Sequence, residues 1–445
     1  MGKKLGYGIA GLILIAVIYY FTSGSTQIVE RAKAQLDTEL TTLQQNGFVI
    51  KERRNDAKRD HFIIRFDEPE KIAVFFTKQG NPATPEDIAV LKGLEIGADV
   101  DYLKDLYAAL SIDLYPVKLP DGIIQEAGND PENRAVLAKV EEMFRKKKLL
   151  MHIDIAKDLK HFKGRFKDIN ETFPTKEPVT LHTKGFTFSG ELDQERIAQI
   201  DQQLDFLSLD DTQGMRVTLQ DLVSHYVKTG ATLYDMKSSY HLSQLTISKQ
   251  DLFESIIKDV DANTTQKVTN GLLQTTIQSQ VKQVKISTDT EQLLLHTVRW
   301  DAMMDNIDIK ALEALQQLDP EMEEKAFKQQ LKRLLSKGLA LKINDLSIKE
   351  INQDGAILGG IGMKASLTLD NQVDLSQIEQ NPMLLINALD AQSTLRISDK
   401  LFALIAQDPR AMMFMMMIPP KEKQGMKVYN LTFSKGQTTV NGMPL

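Results

Sequence analysis

The side chains in this sequence that could do chemistry are few and scattered. Seven histidines stand at 61, 152, 161, 182, 225, 241 and 296. None forms HExxH or another i, i+4 pair of metal ligands. His152-x-Asp154 falls on an apparent strand, so both side chains share a face and could seed a metal site if a third ligand came near. Without that ligand, a surface or hydrogen-bonded pair is the plainer reading. Asp210 and Asp211 are adjacent acids, yet Thr212, Gln213 and Gly214 follow and mark a turn. Gly359, Gly360 and Gly362 lack the GK[ST] ending and the following helix of a phosphate loop, and read as a bent strand. No G-x-S-x-G elbow and no S-x-x-K set with its partners is present. With no cysteine there is no thiolate nucleophile, disulfide, Cys-ligated zinc or iron–sulfur cluster. The expectation is a non-enzymatic protein with no catalytic residues, cofactor or metal. A hydrolase with a non-standard site would need His152, Asp154, His182 and His241 to cluster in a cleft.

Two further stretches invite binding. Residues 411–420, AMMFMMMIPP, hold five of the seventeen methionines. Met412, Met413, Phe414, Met415, Met416 and Met417 are too few to span a bilayer, and core packing is the default for them. The alternative is contact with a lipid or other apolar ligand, with Phe402, Leu404 and Ile405 lining the same pocket. Arg145, Lys146, Lys147 and Lys148 form a basic run at a helix end, read as a solvated terminus that complements the helix dipole. A net charge of −6 gives no electrostatic case for nucleic acid as a partner.

The elements that would position these residues begin with residues 5–21, LGYGIAGLILIAVIYYF, which carry no charge. At 1.5 Å per residue they make a helix of roughly 26 Å, slightly short of the hydrocarbon core. Leu5, Ile9, Leu12, Leu14, Val17, Tyr19, Tyr20 and Phe21 are the expected membrane contacts, with the tyrosines near the water boundary. Lys3 and Lys4 place the N-terminus in the cytoplasm, although Arg31 and Lys33 weaken that bias. An uncleaved signal anchor is favoured over a cleaved signal peptide, because no A-x-A-like site follows.

Residues 26–45 read as a helix with Ile28, Ala32, Leu36, Leu40 and Leu43 on one stripe, closed by Asn46-Gly47. That stripe could pack on the domain, pair with a second copy or act as a stalk; packing is the commonest use. Residues 48–54 and 60–80 read as antiparallel strands with turns near Asn55-Asp56 and Pro69, and 94–102 and 111–119 as further β segments. Asp130-Pro131-Glu132 starts a helix. From Val179 to about Trp300 the pattern is β, with a phase shift between Leu242 and Leu245 that suggests a bulge. A helix over 307–318 precedes a second, opened by Asp319-Pro320-Glu321 and closed by Gly338. Strands, two short helices near 377–389 and 398–407, and a closing hairpin complete the chain.

Three features carry a family resemblance. The strand-to-helix passage TVRWDAMMDNIDIKALEALQQL contains Asn306, Ile307, Asp308, Ala311 and Leu312, and a long amphipathic helix follows it. The terminus FSKGQTTVNGMPL contains Gly436, Val440, Asn441 and Gly442. In these and in its layout the chain resembles the YdgA family of bacterial envelope proteins. The resemblance implies an inner-membrane anchor and a periplasmic domain of unassigned function, and supplies no catalytic residues.

The expected fold is thus α+β: a single N-terminal transmembrane helix, then a β-rich, mostly antiparallel extended sheet with packed amphipathic helices. The expected divisions are 1–24 (tail and anchor), 25–175, 176–305 and 306–445. The expected setting is the bacterial inner membrane, single-pass, N-terminus cytoplasmic and main domain periplasmic. The expected function is binding of a lipid or other apolar ligand in a β-sheet groove. The alternative is a structural or scaffolding envelope protein that self-associates through 26–45.

Overall fold

The computed structural model describes residues 28–445 except 79–82, 103–106, 129, 194–195, 319–322, 372–380, 382 and 445. The chain divides into two compact units, Met1–Lys228 and Thr229–Leu445.

The first unit runs α1 (Ile28–Gln45), β1 (Phe48–Asn55), β2 (Arg59–Phe66), α2 (Pro69–Lys78), α3 (Pro85–Ala89), β3 (Glu95–Tyr102), β4 (Ala108–Lys118), α4 (Asp121–Ala127), α5 (Pro131–Arg145), β5 (Met151–Ala156) and β6 (His161–Phe166), then β7 (Ile169–Phe173), β8 (Val179–Lys184), β9 (Thr187–Asp193), β10 (Arg196–Asp211) and β11 (Met215–Lys228). Strands β1 to β6 pair antiparallel in chain order. β6 then pairs with β9, and β10 takes β9 along its first half and β8 along its second. One sheet face is the core. Leu36 and Leu40 of α1, Ile72 and Phe76 of α2 and Ile88 of α3 close over Phe62, Ile112, Ile153 and Phe162. The α1 stripe is therefore spent inside its own unit, since Leu36, Leu40 and Leu43 are all buried there.

Residues 69–78 correct the reading of 60–80 as strand. Pro69 opens a helix, Glu70 sits in its first turn, and Ile72, Ala73, Phe75 and Phe76 are buried. Apolar residues this dense satisfy either period locally; the core above β1, where the Phe48 ring meets Phe75 and Phe76 edge-on, selects the helix.

The second unit runs β12 (Met236–Lys249), β13 (Phe253–Thr269), β14 (Leu272–Thr288), β15 (Gln292–Asp308), α6 (Ile309–Gln317), α7 (Glu324–Leu335), β16 (Ala340–Gln353), β17 (Ala356–Leu369), α8 (Met383–Ala388), β18 (Leu389–Ser398), α9 (Asp399–Ile405), α10 (Pro409–Met417), β19 (Lys421–Lys423), β20 (Met426–Ser434), β21 (Gln437–Val440) and β22 (Met443–Pro444). Each strand from β12 to β18 pairs antiparallel with the next, and β20 follows β18. The buried clusters here are small: Leu369 with Ala388, and Ile418 with Tyr429 and Val440.

A phase change crosses this sheet at one level. The apolar positions step by three rather than two in successive strands: Leu242 to Leu245, Ile257 to Val260, Val281 to Val284, Leu295 to Val298 and Ile348 to Ile351. Cross-strand pairing runs straight through, Leu242–Val260–Val281–Val298–Ile348 on one side and Leu245–Ile257–Val284–Leu295–Ile351 on the other. A step of three would normally turn the second set to the opposite face. Between the two sets lie the left-handed residues Asp259 (φ 51) and Thr297 (φ 54), and left-handed Gly359 (φ 84) pairs with Ile351 at the edge of the break; they bend the chain where the alternation changes. The shift at Leu242–Leu245 is thus one strand's part of a feature shared by its neighbours.

The expected fold class needs correction. Among the described residues the chain is predominantly β, with 22 antiparallel strands and helices that are short apart from α1, α5 and α7, in place of the expected α+β domain. No helix of the described residues is long and apolar enough to cross a membrane. Leu5, Ile9, Leu12, Leu14, Val17, Tyr19, Tyr20 and Phe21 lie outside the described residues.

Candidate functional site

The residues singled out for chemistry do not converge. His152 and Asp154 share a face of β5, as their spacing requires, and His152 is held by Asp113 at 2.7 Å and Asp154 at 3.2 Å. His182 instead packs on the Phe206 ring, and His241 pairs with Asp261 in the second unit. No group of three or more metal-ligating side chains comes together among the described residues.

What surrounds His152 is a polar lattice on the face of the first unit's sheet opposite the core. Antiparallel register sets His61, Asp99, Asp113, His152 and Arg165 in one row across β2 to β6. Ser111, Asp154 and Lys163 form the next row, and Ser111 donates to Asp154. A cavity of about 520 Å³ lies over this surface, lined by His152, Asp154, Lys163, Arg165, Ser189 and Asp201 among others. Most of its charges are matched: Asp201 accepts from His225 at 2.6 Å, and Lys163 sits over the Tyr107 ring.

The basic run divides: Arg145 and Lys146 stay exposed at the helix end, as read from the sequence, while Lys147 and Lys148 turn to carboxylates on other elements. Lys146 bonds Glu142, Lys147 reaches Asp99 at 2.7 Å while lying over the Tyr115 ring, and Lys148 bonds Glu171. Burial alone would raise the Asp99 carboxyl, but hydrogen bonds from Lys147 and His61 outweigh it and hold it below the usual range. Hydrogen bonds from Lys139 and then Lys148 hold Glu171 low as well.

The methionine segment forms α10, and its side chains are not in the core. Met412 and Met413 are exposed, as are Met416 and Met417 at 76% and 70%, while Met415 is half-buried. The side chain of Phe414 lies outside the described ones. Phe402 of α9 packs beside Ile418 and Tyr429, under the Lys427 ammonium, so it does not share a pocket with the outward methionines.

An apolar trough does exist, on strands that the sequence marked only as strands. It holds about 340 Å³ on one face of the second unit's sheet. Two cross-strand rows make it: Leu341–Leu367–Ala391–Phe433 and Ile343–Ala365–Ser393–Leu431. The small side chains of Ala365, Ala391 and Ser393 leave the floor low between Leu341, Ile343, Leu367, Leu431 and Phe433. A register shift between Ile343 and Leu346 keeps β16 in step with its neighbours. The apolar surface continues over β15, where Met304 pairs with Leu341, Ala302 with Ile343 and Trp300 with Leu346. Trp300, Met304, Leu341, Leu367 and Leu431 all remain exposed, which for so many apolar residues on adjoining strands is unusual in a settled core. Alternation within residues 340–348, 364–369 and 429–433 was legible; that these segments lie side by side was not. No protein-family model, curated protein or solved structure matches the chain.

Proposed function

We propose that the chain is a non-catalytic envelope protein that shelters the hydrocarbon part of a lipid-like amphiphile on the apolar face of its second sheet. The observation that carries this reading is the trough walled by Leu341, Ile343, Leu367, Leu431 and Phe433. Its volume, about 340 Å³, is within the range of small-molecule sites. The occupant is argued from the lining: a peptide would bring N–H and C=O groups that these walls cannot satisfy, whereas an alkyl chain has none. The resemblance to the YdgA family supports the envelope setting.

The test is extraction and mass spectrometry of the purified chain, followed by titration with fatty acids. Co-purifying lipid, or saturable fatty-acid binding lost on Leu367→Asp, is the expected result. A chain that carries no lipid and binds no fatty acid removes the proposal. The scaffolding alternative draws on one observation, the exposed Met412, Met413, Met416 and Met417, which form an adaptable apolar surface.

A further inference from the structure

The opposite face of the same strands carries a second trough of contrasting character. Arg299, Ser347, Gly362 and Arg396 form one cross-strand row over β15, β16, β17 and β18. Side chains alternate along a strand, so Ser347 and Gly362 face away from Leu346, Ile348, Ile361 and Met363. A cavity of about 340 Å³ opens over this row, lined by Lys349 and Lys364 with the two arginines, and also by parts of Ile348, Ile361, Met363 and Met426.

Three features separate it from an ordinary solvated sheet face. The first is charge. Four cations line the cavity against one carboxylate, Asp345, in a chain whose net charge is −6. The second is the lack of neutralisation. All four are exposed, and among the described residues none of them is within ion-pair distance of a carboxylate, whereas Lys282, Lys285 and Lys427 of the same unit are. Arg299 is oriented by donating from Nε to Gln280 at 3.0 Å, which leaves its two terminal nitrogens for something else. The third is the floor. Gly362 puts bare backbone between the cations, where the nearest atom to a Cβ would be Ser347 Cβ at 3.4 Å; Gly360 instead serves close strand approach, since a Cβ there would meet the Ile348 carbonyl at 2.5 Å.

We infer that this trough binds a phosphoryl oxyanion, taken up among the Arg299, Lys349, Lys364 and Arg396 side chains that line it. Guanidinium forks match the oxygens of a phosphate ester two at a time, and the lysines add point charge. A metal cation is disfavoured by four positive groups, and a polynucleotide by the net negative charge of the chain. The phosphate belongs either to a soluble ester or to a lipid headgroup. The site stands apart from the apolar trough, because it lies on the other face of the sheet.

The test titrates the full chain with glycerol 3-phosphate by calorimetry, and in parallel floats it with phosphatidylglycerol or phosphatidylcholine vesicles. Binding to glycerol 3-phosphate that weakens steeply with salt assigns a soluble ester; flotation with phosphatidylglycerol alone assigns a headgroup. In either arm the double variant Arg299→Gln with Arg396→Gln should lose about ten- to a hundredfold in affinity. Gly362→Val should do the same without changing charge. A Cβ there meets Ser347 Cβ at 3.4 Å and the backbone is not left-handed, so the sheet accepts it. Fatty-acid binding should be unchanged in both variants, which separates this site from the apolar one. A chain that binds neither probe, or whose binding survives the arginine double variant, overturns the inference.

Discussion

The apolar trough makes a quantitative prediction about chain length. Titrating the protein with a series of alkanoates from octanoate to myristate, each below its micelle concentration, changes only the number of methylenes offered to Leu341, Ile343, Leu367, Leu431 and Phe433. Full burial of a methylene contributes about 0.8 kcal/mol. A chain lying on a sheet face keeps one side toward water, so about half of that, ~0.4 kcal/mol, is realised. That converts to a roughly twofold tightening of Kd per methylene until the trough is full. Ala391→Phe raises the floor while keeping a residue well suited to a strand, and should flatten the slope without unfolding the sheet. Displacement of a polarity-sensitive fluorescent probe reads both quantities, with far-ultraviolet circular dichroism as the control for folding. A Kd independent of chain length, or a slope that Ala391→Phe leaves unaltered, refutes the assignment of the trough to hydrocarbon.

Other expectations concern the frame. Leu36 is completely buried between α1 and the first sheet, so Leu36→Ala should cost about 3 kcal/mol, read from urea unfolding followed by a probe in that unit. Thr297 is β-branched yet left-handed, at φ 54, so Thr297→Gly should raise the unfolding free energy by about 0.5–1 kcal/mol, read from urea unfolding, even though glycine ordinarily weakens a strand. A fall in stability would mean that the Thr297 side chain contributes something that this backbone argument omits. The carboxyls of Glu171 and Asp99 are both held below their ordinary values. The stability they contribute is present above the usual carboxylate pKa and is lost as pH falls through their lower folded values. Denaturation midpoints measured from neutral to strongly acid pH should therefore drop less steeply in Glu171→Gln than in the parent; equal slopes would count against the Lys139–Glu171–Lys148 cluster.

Much of the local structure could be read from residue order, because its causes are local. Asp130 before Pro131 caps α5 by accepting from the backbone of Glu132 and Asn133, and Gly47 ends α1 with a left-handed turn. Asp211 makes the expected turn, accepting from the backbone N–H of Gln213 and Met215. The break in alternation after Leu242 was visible in one strand. Its meaning was not, since only pairing shows that β13 to β16 break at the same level. Residues 69–78 defeated the period argument because dense apolar content fits helix and strand alike until the core above them is known.

The sequence by itself determined the β character, the capped helices and the absence of thiol chemistry, all of which follow from residue type and spacing within a few positions. The tertiary structure alone decided the sites. Leu341, Leu367, Ala391 and Phe433 meet because antiparallel register places them opposite one another, and the same register puts Arg299 and Arg396 at the two ends of one row. It also turned the α10 methionines outward and sent Lys147 and Lys148 to carboxylates on other elements. A cross-strand row is assembled at right angles to the chain, so its members are neighbours in space while tens of residues lie between them in sequence.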